Sequence, residues 1–303
     1  MTLLHQFEYA STKLVLGLCR ILPRFLIYVL FRFFARAFYF LSARRRKITL
    51  CNLKIAFPEK SLAVRKKWAK ESYINLGESM AFNMLVMTDR VSNQELLDSI
   101  EIKGWEHIEE AQKLAGGKGA LFYSAHIGNW ELLSQIFALT LDPKIHIITR
   151  KTSNPLLEKN IVQPLRERFG ISVYYKKNAL LRIVKIIKKG DFAGFLIDHK
   201  VKPPEGIYLP FFGKDAPTLA SPALLQIRFN IVISSLFLIK SKEGKYQLII
   251  NPPLKWEDNG KPQEEQIIEL TKMHQKVIED LIRQYPQQWF WMHNRWGLKK
   301  DEL

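Results

Sequence analysis

Cysteine is almost missing from this chain: Cys19 and Cys51 are the only two. They form no C-x-x-C pair, so neither a disulfide framework nor a zinc knuckle follows, and a reducing compartment suits the sequence. No histidine pair has zinc-site spacing, and H-E-x-x-H is missing, so no metal is implied. G-x-S-x-G is missing too, which disfavours a nucleophile-elbow hydrolase. "GGKGALF" (116–122) fails as a nucleotide loop: no glycine follows Gly119 at the required spacing, and Gly117-Lys118 runs into Gly119, not Ser or Thr. There is no internal repeat and no low-complexity linker. Long apolar runs free of charge are also lacking, because Arg20, Arg24, Arg32 and Arg36 interrupt the apolar stretch from Leu14 to Leu41.

What is present is a chain of 303 residues with 47% apolar side chains, enough for a large core in one or two domains. Its net charge of +17 is lopsided: residues 1–70 hold fifteen Lys and Arg against Glu8 and Glu59, which is +13 of the total. Such a block seeks a polyanion. It sits on apolar sequence, which favours lipid over nucleic acid. The cleanest apolar part, "FLIYVLFRFFARAFYFL" (25–41), is about 25 Å long as a helix, short of a ~30 Å hydrocarbon core. Arg32 and Arg36 share one helical stripe, with Phe, Leu and Ile on the other faces. Two membrane readings stand, an amphipathic helix in the interface and a tilted span with snorkelling arginines. "RRRK" (44–47) would meet anionic headgroups. A soluble aromatic core and a cleaved signal are weaker readings, since arginine and phenylalanine alternate too densely for a core. The closing "KDEL" (300–303) has meaning as a retention address only in a chain delivered to the endoplasmic reticulum lumen. The expected division is an anchor over 1–47 and a catalytic-sized domain over 48–303.

Ser61 is a capping residue for a long helix over 61–88. Beyond residue 100, short apolar runs alternate with amphipathic stretches. Strands are expected at 119–124, 145–149, 171–175, 192–197, 231–239 and 246–250. Helices are expected at 104–115, 129–140, 155–169, 178–189, 216–229 and 263–285. The alternation predicts an α/β fold, a mostly parallel or mixed sheet flanked by helices. Residues 200–218 carry Pro203, Pro204, Pro210 and Pro217 and read as a long loop.

"SAHIGNWELL" (124–133) holds the candidate chemistry. His126 falls just past the strand over 119–124, where α/β sheets place ligands. On one continuous helix His126 and Glu131 would point apart, but a turn at Gly128 lets the carboxylate reach the imidazole. A carboxylate on one ring nitrogen fixes the tautomer and makes the other nitrogen a better base. The following helix start offers N–H groups to a developing oxyanion. The competing reading, a capping histidine and a surface glutamate, is equally compatible with these residues alone.

The same residues form H-x-x-x-x-E, which resembles the H-x-x-x-x-[D/E] signature of membrane lysophospholipid and glycerolipid acyltransferases. More closely, the chain resembles the late acyltransferases of lipid A biosynthesis, of lauroyl or myristoyl type. The likeness runs through "CNLKIAFPE" (51–59), "HIGNWE" (126–131), "RKTSNPLLE" (150–158), Asp198-His199, "LPFFGKDAPT" (209–218) and "YPQQWFWMHNRWG" (285–297). The resemblance implies an acyltransferase on the cytoplasmic face of a bacterial inner membrane. It implies acyl carrier protein as donor, a hydroxyl of a 3-hydroxyacyl chain on a lipid A precursor as acceptor, and no bound cofactor. Carried over by position, His126 is the base and Glu131 its partner. Arg150, Asn154, Asp198 and, less directly, Arg168 then bind substrate, and no role falls to Lys200. The aromatic tail from Trp289 to Trp296 reads equally as a membrane-facing wall or as core. A glycerophospholipid or glycolipid acceptor and an inactive membrane tether are the alternatives.

Overall fold

A computed structural model of the chain describes residues 2–141, 144–175, 179–203 and 205–302, with only the backbone of Lys300. Asn178, Pro204 and Leu303, which enter the expectations above, lie outside the described residues. Four helices come first: α1 (Leu3–Ile21), α2 (Arg24–Leu41), α3 (Ala43–Ala56) and α4 (Leu62–Met87). Then follow α5 (Asn93–Asp98), β1 (Ile100–Lys103), α6 (Glu106–Ala115), β2 (Leu121–Ser124), α7 (Trp130–Thr140) and β3 (Ile145–Thr149). A helical stretch comes next, with α8 (Pro155–Leu157) and α9 (Gln163–Glu167) on either side of a wider π turn (Glu158–Val162). The chain continues through β4 (Ser172–Tyr175), α10 (Ala179–Lys188), β5 (Phe192–Leu196), β6 (Gly206–Phe211) and β7 (Lys214–Leu219). It closes with α11 (Ser221–Phe229), β8 (Ile233–Lys240), β9 (Tyr246–Ile250) and α12 (Gln263–Gln284), before a short turn over Lys300–Glu302.

Seven strands form one sheet in the order β1-β9-β8-β2-β5-β3-β4, and only the β8–β9 pair is antiparallel. This is the mostly parallel α/β sheet that the alternating pattern predicts. Successive residues of a strand feed opposite faces. Leu121 and Tyr123 of β2 join the core beneath α10 and α12, whereas Phe122 joins the one beneath α6 and α7. Both faces are covered, as parallel sheets require.

Three local expectations change. Residues 206–219 are not a loop but a two-stranded antiparallel ribbon, β6 with β7. Pro210 and Pro217 are tolerated because this ribbon has an edge on each side. Phe212 and Gly213 turn it with φ of +52° and +75°, the hairpin sign at both positions. For the same reason the helix expected from 216 starts only at Ser221. The helix expected over 155–169 is interrupted, because Pro164 has no N–H for the carbonyl of Asn160, and the chain widens into the π turn there.

At the N-terminus α2 lies against α4 at Gly77, where an added Cβ would stand 2.9 Å from both the Phe31 carbonyl oxygen and the Ala35 Cβ. Glu78 beside it takes Arg32 and Lys240, each at 2.6 Å, joining α2, α4 and β8. The outward faces of α1 and α2 leave Leu3, Phe7, Ile21, Phe25, Phe33 and Leu41 exposed. No single helix among the described residues is long and apolar enough to cross a membrane. Only α2 and α3 together meet that length and composition, and they are bent by 87°. The boundary expected at residue 47 falls inside α3, whose Asn52 donates to the carbonyls of Trp291 and His293 at 2.8 and 2.7 Å.

Candidate active site

The register of two neighbouring strands builds the site. β2 and β5 run parallel with Ser124 opposite Leu196, and the Ile197 N–H still reaches the Ser124 carbonyl at 3.0 Å. Two residues beyond that pair stand His126 on one chain and Asp198 on the other. The Asp198 carboxylate takes His126 Nδ1 at 2.7 Å and the His126 backbone N–H at 2.9 Å. A third donor, the Trp289 indole N–H, reaches Asp198 at 2.8 Å. The His126 side chain is 30% exposed and that of Asp198 only 2%. The imidazole is therefore open to its surroundings, and the acid behind it is not.

Charges follow from this geometry. Burial opposes protonation of His126, but the Asp198 carboxylate, its hydrogen bond and the nearby Glu131 charge outweigh burial, so the pKa of His126 stands above its usual 6.5. Burial alone would raise the pKa of Asp198. The His126 charge and the hydrogen bonds from His126 and Trp289 carry it well below the usual carboxylate range. Asp198 is therefore the anion that holds the proton on Nδ1. Nε2 of His126 has no hydrogen-bond partner among the described residues.

The loop after His126 is fixed as tightly. Gly128 has φ +61°, and a Cβ there would lie 2.0 Å from the Leu238 carbonyl oxygen, so only glycine fits. Its N–H reaches the Gln288 carbonyl at 3.0 Å, and the Phe290 N–H reaches the His126 carbonyl at 2.8 Å. The C-terminal strap thus pairs with the histidine loop through an isolated bridge between Ile127 and Trp289. Trp130 and Phe290 flank the imidazole with ring centroids 5.4 and 6.1 Å away. The N–H groups of Ile127, Gly128, Asn129 and Leu132 all have backbone acceptors. Those of Trp130 and Glu131, at the start of α7, have none among the described residues.

His126 lines a cavity of about 1480 Å³, mostly apolar, with Phe122, Phe137 and Phe192 in its wall. Glu131, Arg150, Arg166 and His293 also line it. The structure gives the tautomer-fixing position expected for Glu131 to Asp198. Glu131 stands beside the imidazole, with its carboxylate accepting the Trp130 indole N–H at 3.2 Å. Arg150 is exposed on the cavity wall.

Asn154 and Arg168 are not among the cavity-lining residues. Asn154 is 1% exposed; it caps α8 through the Leu156 N–H and donates to Glu8 and to the His5 carbonyl, tying α1 to the sheet domain. Arg168 donates to the Val86 carbonyl at 2.8 Å and pairs with Asp89 at 2.7 Å. Arg166, two residues earlier, reaches the cavity wall instead, with Glu158 3.8 Å away. Sequence reasoning did not single out Arg166, Trp289 as donor to Asp198, or His293, which accepts the Lys200 N–H at 3.1 Å. The signal for Trp289 was its place in a conspicuous aromatic cluster, and nothing local said which acid it faces. The expected wall or core of aromatics from Trp289 to Trp296 resolves mostly as core: Trp289, Trp291 and Trp296 are buried, while Phe290 faces the cavity.

The chain is 28% identical over 260 residues to the lipid A biosynthesis lauroyltransferase of Escherichia coli K12, covering 85% of this chain and 81% of that protein. It is 25% identical over 254 residues to the palmitoleoyltransferase of the same strain, covering 83% and 78%. With the myristoyltransferase the figures are 21% over 252 residues, 83% and 74%. The family model described as bacterial lipid A biosynthesis acyltransferase matches residues 4–298, and the chain belongs to that family.

Proposed function

We propose that this O-acyltransferase moves a fatty acyl chain from an acyl-carrier-protein thioester to the hydroxyl of a 3-hydroxyacyl chain on a lipid A precursor. The observation that carries this reading is the His126 Nδ1 contact with Asp198 at 2.7 Å, beside a large apolar cavity. With the proton held on Nδ1, Nε2 is a base. It takes the proton of the acceptor hydroxyl as that oxygen attacks the thioester carbonyl carbon. The carbonyl electrons move to oxygen, where the unpartnered N–H groups of Trp130 and Glu131 stabilise the charge. Collapse re-forms the carbonyl and breaks the C–S bond, and the thiolate leaves with the proton from His126. Glu131 stabilises the imidazolium through space. Arg150 and Arg166 suit the phosphates of either substrate. The apolar wall suits acyl chains, and the exposed phenylalanines of α1 and α2 with the arginines around them suit the cytoplasmic face of an anionic inner membrane. No step requires a metal or a cofactor.

The test is mass spectrometry of products from the purified protein with acyl-carrier thioesters and a lipid A precursor, against His126→Ala. A gain of one acyl group that is lost in the variant is the expected result, and the mass gives the chain length. No gain with folded protein, followed by a gain on a glycerolipid or glycolipid acceptor, would change the acceptor. Failure on every acceptor and donor would leave a membrane tether.

A further inference from the structure

We infer that the Trp289 indole N–H is a positioning group of the active site, holding the Asp198 carboxylate in the orientation that presents one oxygen to His126 Nδ1. The inference rests on the His126–Asp198 base proposed above. Within Asp198 the two oxygens divide their work. Oδ1 meets the imidazole, whereas Oδ2 takes the His126 backbone N–H and the indole N–H. Without the indole, Oδ2 keeps a single donor on a carboxylate that is only 2% exposed, and rotation about the carboxylate bond is no longer opposed from both sides. A charge-assisted hydrogen bond to a fixed donor is the strongest restraint available there.

The donor itself cannot drift. Trp289 is 1% exposed and meets the Trp291 ring at 4.6 Å and 90°. Its neighbours in the chain are pinned to the histidine loop through the Gly128–Gln288 and Phe290–His126 backbone bonds. The Gln288 side chain grips both backbone groups of Lys240, at 2.8 and 2.6 Å. Beneath, Asn52 of α3 holds the carbonyls of Trp291 and His293. A buried tryptophan needs some acceptor for its N–H, and a neutral carbonyl suffices for packing. Trp291 and Trp296 have such acceptors, the carbonyls of Pro286 for one and of Phe211 and Lys214 for the other. Trp289 alone among these three is aimed at a carboxylate, and that carboxylate is the one on the base.

The experiment replaces Trp289 in the full-length protein in two ways. Trp289→Phe removes the N–H and part of the ring. Incorporation of β-(3-benzothienyl)alanine at 289 keeps the bicyclic shape and removes only the N–H. In both, kcat is expected to fall about 10- to 100-fold, the loss of one hydrogen bond to a charge, with KM for donor and acceptor within about twofold. The 15N resonances of His126 are expected to move from an Nδ1–H tautomer towards a mixture. Wild-type kcat in the benzothienyl protein would overturn the inference, and so would a lower kcat with unchanged His126 resonances. His126→Ala and Asp198→Ala in the same assay separate the two claims. If either retains turnover, the base assignment fails; if both lose it while the benzothienyl protein keeps full kcat, only the role of Trp289 fails.

Discussion

The sheet carries a histidine–aspartate pair at each end. At the carboxyl ends of β2 and β5, His126 meets Asp198 at 2.7 Å; near the amino ends of β3 and β5, His146 meets Asp191 at 3.0 Å. The residue types match and the surroundings do not. Asp198 is buried and accepts from three donors, and its histidine is 30% exposed on a cavity. The second pair is reversed. His146 is the buried member, at 8%, its acid is 24% exposed, and His146 is not part of the cavity wall. Its other nitrogen, Nδ1, is buried without a partner among the described residues. A base needs an ionised acid behind it and an accessible nitrogen in front. Only the first pair has both, so the second reads as a clasp between β3 and β5.

The sharpest break in that comparison is substitution of the two histidines. His126→Ala is expected to reduce turnover by about 10³-fold or more, while His146→Phe leaves kcat within about twofold, as measured by acyl transfer per folded molecule. If His146→Phe proved as inactive as His126→Ala, the contrast between the ends of the sheet would collapse.

Exchange of the two acids comes next. Asp198→Asn should lower kcat by about 10²–10⁴-fold. Because Asp198 raises the pKa of His126, and His126 must be neutral to act, the wild-type rate should climb with pH along a limb centred above 6.5. The residual activity of Asp198→Asn should climb at lower pH, and a pH–rate profile reads both. Asp191→Asn should leave rate and profile alone and cost about 1 kcal/mol in denaturant unfolding.

Glu131→Gln probes a charge that acts on His126 without bonding to it. A fall in kcat of about tenfold is expected, with the His126 tautomer preserved, and 15N spectra distinguish this from the effect of losing Asp198.

The smallest effect at neutral pH belongs to a third histidine, which meets no acid among the described residues. His274 is 1% exposed, with both ring nitrogens unpartnered among the described residues, and burial brings its pKa down to about 3. It stays neutral in the fold but takes a proton in the unfolded chain near pH 6.5, so it removes stability as the pH falls from 6.5 towards 3. His274→Leu should therefore lose less Tm than the wild type between pH 7 and 4. Equal losses would mean that His274 is protonated in the folded protein.

Much of the frame was legible in the chain. Ser61 does cap α4, accepting the Val64 N–H at 3.3 Å. The apolar runs of β2, β3, β4, β5, β8 and β9 read as strands because both faces of a parallel sheet are covered. β1 was missed, because its four residues include Glu101 and Lys103 and it lies on an edge. The β6–β7 ribbon was missed because prolines usually signal a loop, and a two-stranded ribbon tolerates them.

The site was half legible. His126 stood out because its motif is local and follows a strand. Local spacing points to Glu131, five residues away, as its partner, whereas Asp198 is 72 positions distant. The sequence by itself determined the sheet-forming runs, the helix caps, the basic apolar N-terminus and the placement of a histidine at a strand end, since all of these depend on neighbours within a few residues. Only the tertiary structure decided which acid the histidine meets, which arginine reaches the cavity and which tryptophan steadies the acid. Those choices follow from the register of β2 on β5 and from the return of the C-terminal strap. Register depends on how whole faces pack together, which no short stretch of chain contains.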